Sequence, residues 1–182
     1  KRAIKTLEII LDVLNKNESN VIKDWRLNER HYGGLTGLNK NELKKKLGTD
    51  EINKFRRSWD VSPPPIKNED IKNYDMEAIY KIIPPNMIPV SESLKDTYDR
   101  VVPFFENNVK NYLQKNKNIL ISAHGNSLRT LCKKIFKISD NKINELEIPT
   151  GNPLLVELDK NLEIVNYKYL DIKRAKKIIT NN

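Results

Sequence analysis

Cysteine and histidine are scarce in this chain: its 182 residues include one cysteine, Cys132, and two histidines, His31 and His124. A single cysteine excludes a disulfide within the chain and favours a reducing compartment, so we expect a cytoplasmic protein. These residues give none of the spacings typical of a zinc site, so we expect no metal. Long apolar runs are lacking as well, since none approaches the roughly 20 residues that span a bilayer. We therefore expect no membrane partner.

Positive charge, by contrast, is in excess. The chain has 33 lysines and arginines against 24 acidic residues, which gives a formal charge of +9. Such an excess attracts anions, but it does not separate nucleic acids from acidic lipids or small phosphorylated metabolites. Aromatic residues are not interleaved with a basic stripe, so we expect no nucleic-acid partner. The length suits one domain with a proper core.

The order of apolar patterns predicts an α/β fold. Helical spacing or capping signals predict helices at six places, which are 2–16, 39–48, 50–59, 93–114, 127–137 and 140–146. Short apolar or alternating runs predict strands at 20–23, 118–123, 154–158 and 162–170, the last two as a hairpin. A long loop with three consecutive prolines follows the third helix, and an irregularity is expected near Pro103. We expect helices covering a mainly parallel sheet that carries an antiparallel edge strand.

His124 stands where the predicted strand 118–123 ends and a turn leads into the next helix. Residues at that edge of a sheet commonly form sites, and a helix N-terminus attracts anions, so His124 would face a phosphate. Taken alone, it could equally be an ordinary polar residue. Ser127 and Cys132 are poor candidates for a nucleophile, because the glycine-x-serine-x-glycine elbow is absent and Cys132 lies on an apolar helix face.

Basic and polar side chains crowd two other segments. Residues 26–40 read "RLNERHYGGLTGLNK", with many ionisable groups, three glycines and no sustained period, which predicts a loop. Arg56 and Arg57 are consecutive, so on a helix they diverge by about 100°. At a helix end they could clasp one phosphate or carboxylate from two sides. The alternative is a solvated basic pair.

Several segments, in one order along residues 1–170, resemble the cofactor-dependent phosphoglycerate mutases of the histidine phosphatase superfamily. They are "KRAIKTL", "WRLNERHYGGLTGLNK", "FRRSWDVSPPP", "SESLKDTYDRVVPFF", "ILISAHGNSLRTL" and "IPTGNPLLVELD". The "ERHYG" and "GLNK" blocks point to the mutase branch, because the wider superfamily mostly shares only the histidine motifs. The resemblance implies a three-layer α/β/α sandwich that acts on small phosphorylated metabolites and forms a homodimer or homotetramer.

The resemblance also implies an activity. A phosphohistidine enzyme, primed by 2,3-bisphosphoglycerate and needing no metal, interconverts 3-phosphoglycerate and 2-phosphoglycerate in glycolysis and gluconeogenesis. By motif, Glu29 would be the general acid/base and His124 would stabilise the phosphoryl group in transit. Arg2 would hold that group, with Gly125 and Asn126 lining the same pocket. The substrate's carboxylate and distal phosphate would be bound by Arg30, His31, Tyr32, Lys40, Arg56 and Arg57.

One part of the family pattern is missing. The nucleophilic histidine of the family lies in an Arg-His-Gly motif, which this sequence does not contain. We expect residues 1–182 to be a single phosphoglycerate mutase domain without its N-terminal strand and nucleophile segment, since the first helix also has no capping residue before it. Two alternatives stay open. They are a bisphosphoglycerate mutase or phosphatase of the same family, and a catalytically dead fragment that binds only phosphorylated ligands or a partner protein.

Overall fold

The computed structural model describes residues 1–17, 20–67 and 81–179, and the side chain of Lys40 lies outside this description. Its α-helices are α1 (Arg2–Val13), α2 (Lys40–Leu47), α3 (Thr49–Arg57), α4 (Leu94–Phe104), α5 (Lys110–Gln114) and α6 (Gly125–Ile135). Two strands follow, β1 (Leu154–Leu158) and β2 (Ile164–Tyr169). The predicted helices at 2–16, 39–48, 50–59, 93–114 and 127–137 are thereby confirmed within a few residues, whereas 140–146 holds only the 3-10 turn Ile143–Glu145.

Capping residues set the helix boundaries. The Asn39 side chain accepts a hydrogen bond from the backbone of Asn41 at 2.9 Å, and the chain leaves α2 at Gly48 with φ +84°. Ser93 and Asp96 form a reciprocal capping box that starts α4. The predicted irregularity near Pro103 is confirmed as a π-helical turn, Phe105–Val109, between α4 and α5. Proline lacks the N–H that a regular helix needs at this point, which favours such a turn.

Helix α4 packs against α6, and the core lies on both sides of this contact. One cluster joins the two helices to the hairpin, with Leu94, Cys132, Phe136, Ile143, Leu146 and Tyr169 among its members. A second cluster contains Val101, Phe104, Phe105, Val109 and Leu131. Cys132 is buried in the first cluster, so the expectation of a packed thiol is confirmed, and this burial raises the pKa of the thiol to about 12.

Strands β1 and β2 pair antiparallel, with Leu154 opposite Tyr169 and Val156 opposite Tyr167. The ladder is irregular between Glu157 and Leu158. Alternate residues of β1 face the first core cluster, which gives the hairpin one buried side. The predicted hairpin is confirmed.

The strand predictions at 20–23 and 118–123 are wrong, because neither segment pairs with a strand within the described residues. The sheet that this part of the chain does form has two antiparallel strands, so no parallel pairing is seen there. A β-strand forms only where a neighbouring strand supplies hydrogen bonds, and an apolar run does not specify that neighbour. Residues 118–123 instead lie beside α1, where the Ser122 hydroxyl donates to the carbonyl of Ala3 at 2.9 Å. Mixed α/β content is confirmed.

The long loop before α4 holds the 3-10 turn Pro85–Met87 and no other helix or strand in its described parts, 60–67 and 81–92. The prediction of a loop at 68–80 lies outside the described residues. Across the described helices, none has both the length and the apolar character needed to cross a bilayer.

Candidate active site

A cavity of about 220 Å³ opens between the loop at residues 25–31, the start of α4 and the N-terminus of α6. Its lining includes Trp25, Glu29, His31, Glu92, Arg100 and His124. Glu29 and both histidines, all three predicted from the sequence, therefore share one cavity. Acidic, imidazole and guanidinium groups meet here beside the apolar side chains of Trp25, Ile83 and Pro89, and a few polar groups in a partly apolar cavity are typical of small-molecule sites.

One oxygen of the Glu29 carboxylate is fixed by two donors. Oε1 accepts the backbone N–H of Arg30 at 2.9 Å and the Nδ2 amide of Asn126 at 3.0 Å. Oε2 has no hydrogen-bond partner within the described part of the chain. A carboxylate held by one oxygen can exchange a proton with a substrate hydroxyl through the other.

The first turn of α6 carries the residues that hold this loop. Asn126 is only 6% exposed, and its Nδ2 also donates to the Tyr32 hydroxyl at 2.9 Å. The next residue, Ser127, donates its hydroxyl to the carbonyl of Asn28 at 2.7 Å. Gly125 begins the helix, and a Cβ at this glycine would meet nothing within 4 Å. The turn after His124 thus positions Glu29 and Tyr32 by side-chain hydrogen bonds.

His124 precedes α6 as its N-cap and makes no capping bond through its side chain. Burial lowers its pKa, Arg2 lowers it further, and Glu29 opposes the shift. The imidazole is consequently neutral near pH 7 and can donate or accept a hydrogen bond. Arg2 is exposed on α1, and its charge reaches His124. The structure therefore brings Arg2, His124 and Glu29 within electrostatic range of one another.

His31 is held in one tautomer. The backbone N–H of Gly33 donates to its Nδ1 at 3.0 Å, so in the neutral ring the proton lies on Nε2. Burial lowers the pKa of His31, and the charge of Glu92 opposes that shift. As a neutral ring, His31 can contribute to anion binding only as an N–H donor.

Arg30 is 2% exposed, and part of its guanidinium is unpartnered. Nη2 donates to the carbonyls of Phe55 at 3.0 Å and Arg56 at 3.4 Å, at the C-terminus of α3. The guanidinium lies over the ring of Tyr32, 4.7 Å from its centre. Nε and Nη1 are buried and have no hydrogen-bond partner among the described residues. A buried cation with two open donors is costly unless an anion completes it.

Further arginines surround this group. Arg57 is about half exposed, donates to the carbonyl of Asn144 at 3.2 Å and lies 3.8 Å from Glu147. Arg56 is half-buried on the same turn of α3. Burial lowers the pKa of Arg129, and the positive charges of Arg57 and Arg30 lower it further, while Tyr32 and Glu29 oppose them. Like charges thus accumulate beside the carboxylate of Glu29.

The loop packs against the three-proline segment at Gly33 and Gly34. Gly33 has φ +57°, and a Cβ there would lie 2.0 Å from the carbonyl oxygen of Pro64. The backbone N–H of Gly34 donates to that same oxygen at 2.8 Å. Ser91 donates its hydroxyl to the carbonyl of Pro63 at 2.6 Å. The contact leaves room for no side chain at position 33, which explains the glycine.

Most of the residues singled out from the sequence come together, and two supporting residues were missed. Lys40 remains a prediction, since its side chain lies outside the description. Arg129 and Ser127 were not predicted as contacts of the site. The spacing of Asn126 and Arg129, one helical turn apart, was the available signal for a shared face. Among the described residues, no group of three or more His, Cys, Asp or Glu side chains is arranged to hold a metal ion.

Comparison with known proteins gives a consistent result. The family model described as the histidine phosphatase superfamily (branch 1) matches residues 1–167. A 2,3-bisphosphoglycerate-dependent phosphoglycerate mutase of Pelagibacter ubique is 53% identical over 179 residues, which cover 98% of this chain and 74% of the relative. An enzyme of the same name from Treponema denticola is 47% identical over 170 residues, with 93% and 69% covered.

A solved structure is also similar. Mycobacterial glucosyl-3-phosphoglycerate phosphatase superposes with a TM-score of 0.58 at 15% identity, covering 92% of this chain and 71% of that one. At this identity the likeness concerns the fold alone.

Proposed function

Because the chain belongs to the histidine phosphatase superfamily, branch 1, we propose that it acts as a 2,3-bisphosphoglycerate-dependent phosphoglycerate mutase. This is an isomerase of glycolysis that interconverts 3-phosphoglycerate and 2-phosphoglycerate. The observation that carries the proposal is that Glu29 and His124 line one cavity beside a group of arginines. A proton donor and acceptor, a neutral imidazole and fixed positive charge are what a phosphoryl transfer between hydroxyls requires.

Glu29 takes the proton from the substrate hydroxyl that becomes phosphorylated and returns it when the phosphoryl group leaves. Its Oε1 is occupied by the N–H groups of Arg30 and Asn126, so the exchange takes place at Oε2. The loop and the first turn of α6 hold the carboxylate by these bonds before substrate arrives. His124, neutral through burial, donates a hydrogen bond to the phosphoryl group in transit. Arg2 adds positive charge at the same end of the cavity.

The remaining predicted residues bind the unreactive end of the substrate. The two unpartnered nitrogens of Arg30, Nε and Nη1, suit a carboxylate or phosphate, as does the guanidinium of Arg57. His31 contributes an N–H, and Tyr32 a hydroxyl held by Asn126. By family resemblance, Lys40 and Arg56 also bind the unreactive end of the substrate. The same groups suit 2,3-bisphosphoglycerate, whose second phosphate adds charge that these guanidinium groups balance.

The Arg-His-Gly motif that carries the phosphoryl group in this family does not occur in residues 1–182. The roles proposed here therefore concern the substrate side of the cycle. We further propose that residues 1–182 belong to one three-layer α/β/α domain, a proposal that the fold similarity at a TM-score of 0.58 supports. Cytoplasmic location and a homodimer or homotetramer are proposals as well, and light scattering of the purified protein tests the latter.

A coupled assay tests the activity. Conversion of 3-phosphoglycerate is followed with and without 2,3-bisphosphoglycerate, together with phosphate release, in protein that carries an Arg-His-Gly segment ahead of residues 1–182, because these residues contain no such motif. We expect isomerisation that the bisphosphate stimulates. Phosphate release without isomerisation would instead indicate a phosphatase, and binding without either reaction would indicate a ligand-binding protein.

One substitution assigns the proton transfer. Glu29→Gln should lower kcat by about 100-fold or more, the scale of general acid-base catalysis, while substrate still binds. Glu106→Gln is the matched control, because Glu106 pairs with Lys110 and Lys134 and is not among the residues that line the cavity. Unchanged turnover in Glu29→Gln would remove Glu29 from its role.

A further inference from the structure

The Asn126 amide uses all of its hydrogen-bonding groups. Its Nδ2 donates to Glu29 Oε1 at 3.0 Å and to the Tyr32 hydroxyl at 2.9 Å. Its Oδ1 accepts from Nη1 of Arg129 at 2.8 Å. The side chain is buried, so water does not replace a lost partner easily. The orientation of this one amide decides whether Glu29 faces an N–H donor or an oxygen.

Arg129 decides that orientation. A guanidinium can only donate, so the amide oxygen must face Arg129 and the NH₂ group must face Glu29 and Tyr32. Arg129 is itself anchored, because its Nε donates to the carbonyl of Leu146 at 3.0 Å. Leu146 is fully buried in the first core cluster. A rigid connection thus runs from the core through Arg129 and Asn126 to the carboxylate.

The opposite orientation of the amide is unfavourable for two reasons. It would place the Asn126 oxygen against the Glu29 carboxylate, where two acceptors repel each other. It would also turn the NH₂ group toward the guanidinium of Arg129, where two donors meet. Without the guanidinium, only the second of these penalties disappears, and the amide gains freedom to turn or withdraw.

We propose that Arg129 is a positioning residue for Glu29, acting through Asn126. This inference rests on the proposed role of Glu29 in proton transfer. The guanidinium fixes the amide, and the amide fixes Oε1, which leaves Oε2 without a hydrogen-bond partner among the described residues. A displacement of about 1 Å in a catalytic group costs on the order of 100-fold in rate. The nitrogen that fixes the amide does not need to touch the substrate.

Kinetics of matched variants test the connection. Arg129→Lys keeps the charge but cannot span Asn126 Oδ1 and the carbonyl of Leu146 together. We expect kcat to fall about 10- to 100-fold with KM changed less than about threefold, since the loss lies in positioning and not in binding. Lys134→Met on the same helix, where Lys134 pairs with Glu106, should leave both constants unchanged. A larger effect on KM than on kcat would overturn the proposal.

A double-mutant cycle separates this role from a general effect on the helix. Asn126→Leu removes the amide while retaining its approximate size. If Arg129 acts through Asn126, the double variant Asn126→Leu/Arg129→Lys has the kcat of Asn126→Leu alone. Effects that multiply would show that Arg129 acts by another route, and the proposal would fall.

A spectroscopic readout needs no turnover. The side-chain ¹⁵N–¹H₂ signals of Asn126 are expected to shift in Glu29→Gln and in Arg129→Lys, and to stay in place in Lys134→Met. Unshifted signals in Glu29→Gln overturn the proposal even if no Arg129 variant folds. Shifts in both variants without any mutase activity would support the positioning and contradict the proposed function, so that the two failures are distinguishable.

Discussion

Arg100 and Glu92 form a buried, two-point ion pair beneath the loop that carries Glu29. Nε of Arg100 lies 2.6 Å from Oε1 of Glu92 and Nη2 lies 3.0 Å from Oε2, with side chains 10% and 5% exposed. Arg100 also donates to the carbonyls of Arg26 and Asn28, and Glu92 Oε2 accepts the backbone N–H of His31 at 2.7 Å. The pair therefore fixes the loop at both of its ends.

Removing one member of this pair should destabilise the protein strongly. Glu92→Gln leaves the Arg100 guanidinium buried without its counter-charge, for which we expect a loss of about 3–5 kcal/mol in the free energy of unfolding. Urea denaturation followed by circular dichroism measures it. Glu163→Gln is the control, because its partner Lys137 is 70% exposed, and such pairs contribute less than about 1 kcal/mol. Equal losses in the two variants would contradict the assigned importance of burial.

The glycine at position 33 should tolerate no side chain. In Gly33→Ala the left-handed backbone costs about 1–2 kcal/mol, and the Cβ overlaps the carbonyl oxygen of Pro64 as well. Gly48 has φ +84°, but a Cβ added there would meet nothing within 4 Å. Gly48→Ala therefore carries only the cost of the left-handed backbone. We expect Gly33→Ala to lose more stability than Gly48→Ala and to lower kcat as well. Comparable unfolding midpoints and kcat values for the two variants would show that the loop shifts without cost.

Arg30 should matter more for binding than for folding. Two of its nitrogens are buried and unpartnered in the described residues, so Arg30→Met removes a costly group along with its bonds to the end of α3. We expect substrate affinity to fall about 10- to 100-fold, the value of a charge-assisted hydrogen bond. The free energy of unfolding should change by less than about 1 kcal/mol, since the lost bonds and the relieved burial offset each other.

The reverse pattern is expected for Arg26, which provides the control. Its guanidinium forms two bonds with Asp24, at 2.9 and 2.7 Å, and lies over the ring of Phe104. Arg26→Met should lower stability and leave affinity unchanged. Calorimetric titration with 3-phosphoglycerate and urea denaturation measure the two quantities. An Arg30→Met protein that binds normally would contradict the placement of the substrate.

Stability should decline as the pH falls below the ordinary histidine range. Burial is the largest cause that lowers the pKa of both His31 and His124 below 6.5. Below that value the unfolded chain binds more protons than the folded chain, so the stabilisation is complete above about pH 7 and is lost as the pH decreases. Each histidine contributes at most about 1.4 kcal/mol per pH unit. Urea midpoints between pH 7.5 and 5.5 measure the decline.

Substitution of both histidines identifies the source of this decline. The chain has no other histidine, so a His31→Asn/His124→Asn variant should show almost no change across the interval. Acidic groups affect the free energy of unfolding at lower pH. Hydrogen bonding to Lys134 and Lys110 lowers the pKa of Glu106 below 4.5, and its contribution is lost only beneath that value. A decline that persists in the double variant would assign it to other groups.

Local signals in the sequence predicted local structure well. The Ser93–Asp96 capping box, the spacing of Leu131 and Cys132 on α6 and the hairpin around Asp159 all depend on residues close in the chain. The strand predicted at 118–123 is wrong because strand pairing depends on a distant segment, which the apolar run itself does not identify. The gathering of Glu29 with His124 followed from family resemblance and from no local pattern.

The supporting contacts of the site were beyond the reach of sequence reasoning. Arg100 reaches the carbonyl of Asn28 across 72 positions, and Gly34 meets Pro64 through a hydrogen bond between backbones. Every residue has a backbone carbonyl, so no sequence motif predicts such hydrogen bonds. Arg129 contacts Asn126 within one turn, yet only the position of Glu29 shows why that matters.

The unsatisfied guanidinium of Arg30 and its neighbours have a consequence for the lifetime of the protein. Folding brings these positive charges together, so the folded state binds anions more tightly than the unfolded chain does. Any phosphorylated metabolite that occupies this place shifts the folding equilibrium by mass action, by about 2.7 kcal/mol at 100 times its dissociation constant. Protein that is saturated with such a ligand should therefore be cleaved by proteases more slowly than the ligand-free protein, because proteases act on the unfolded chain.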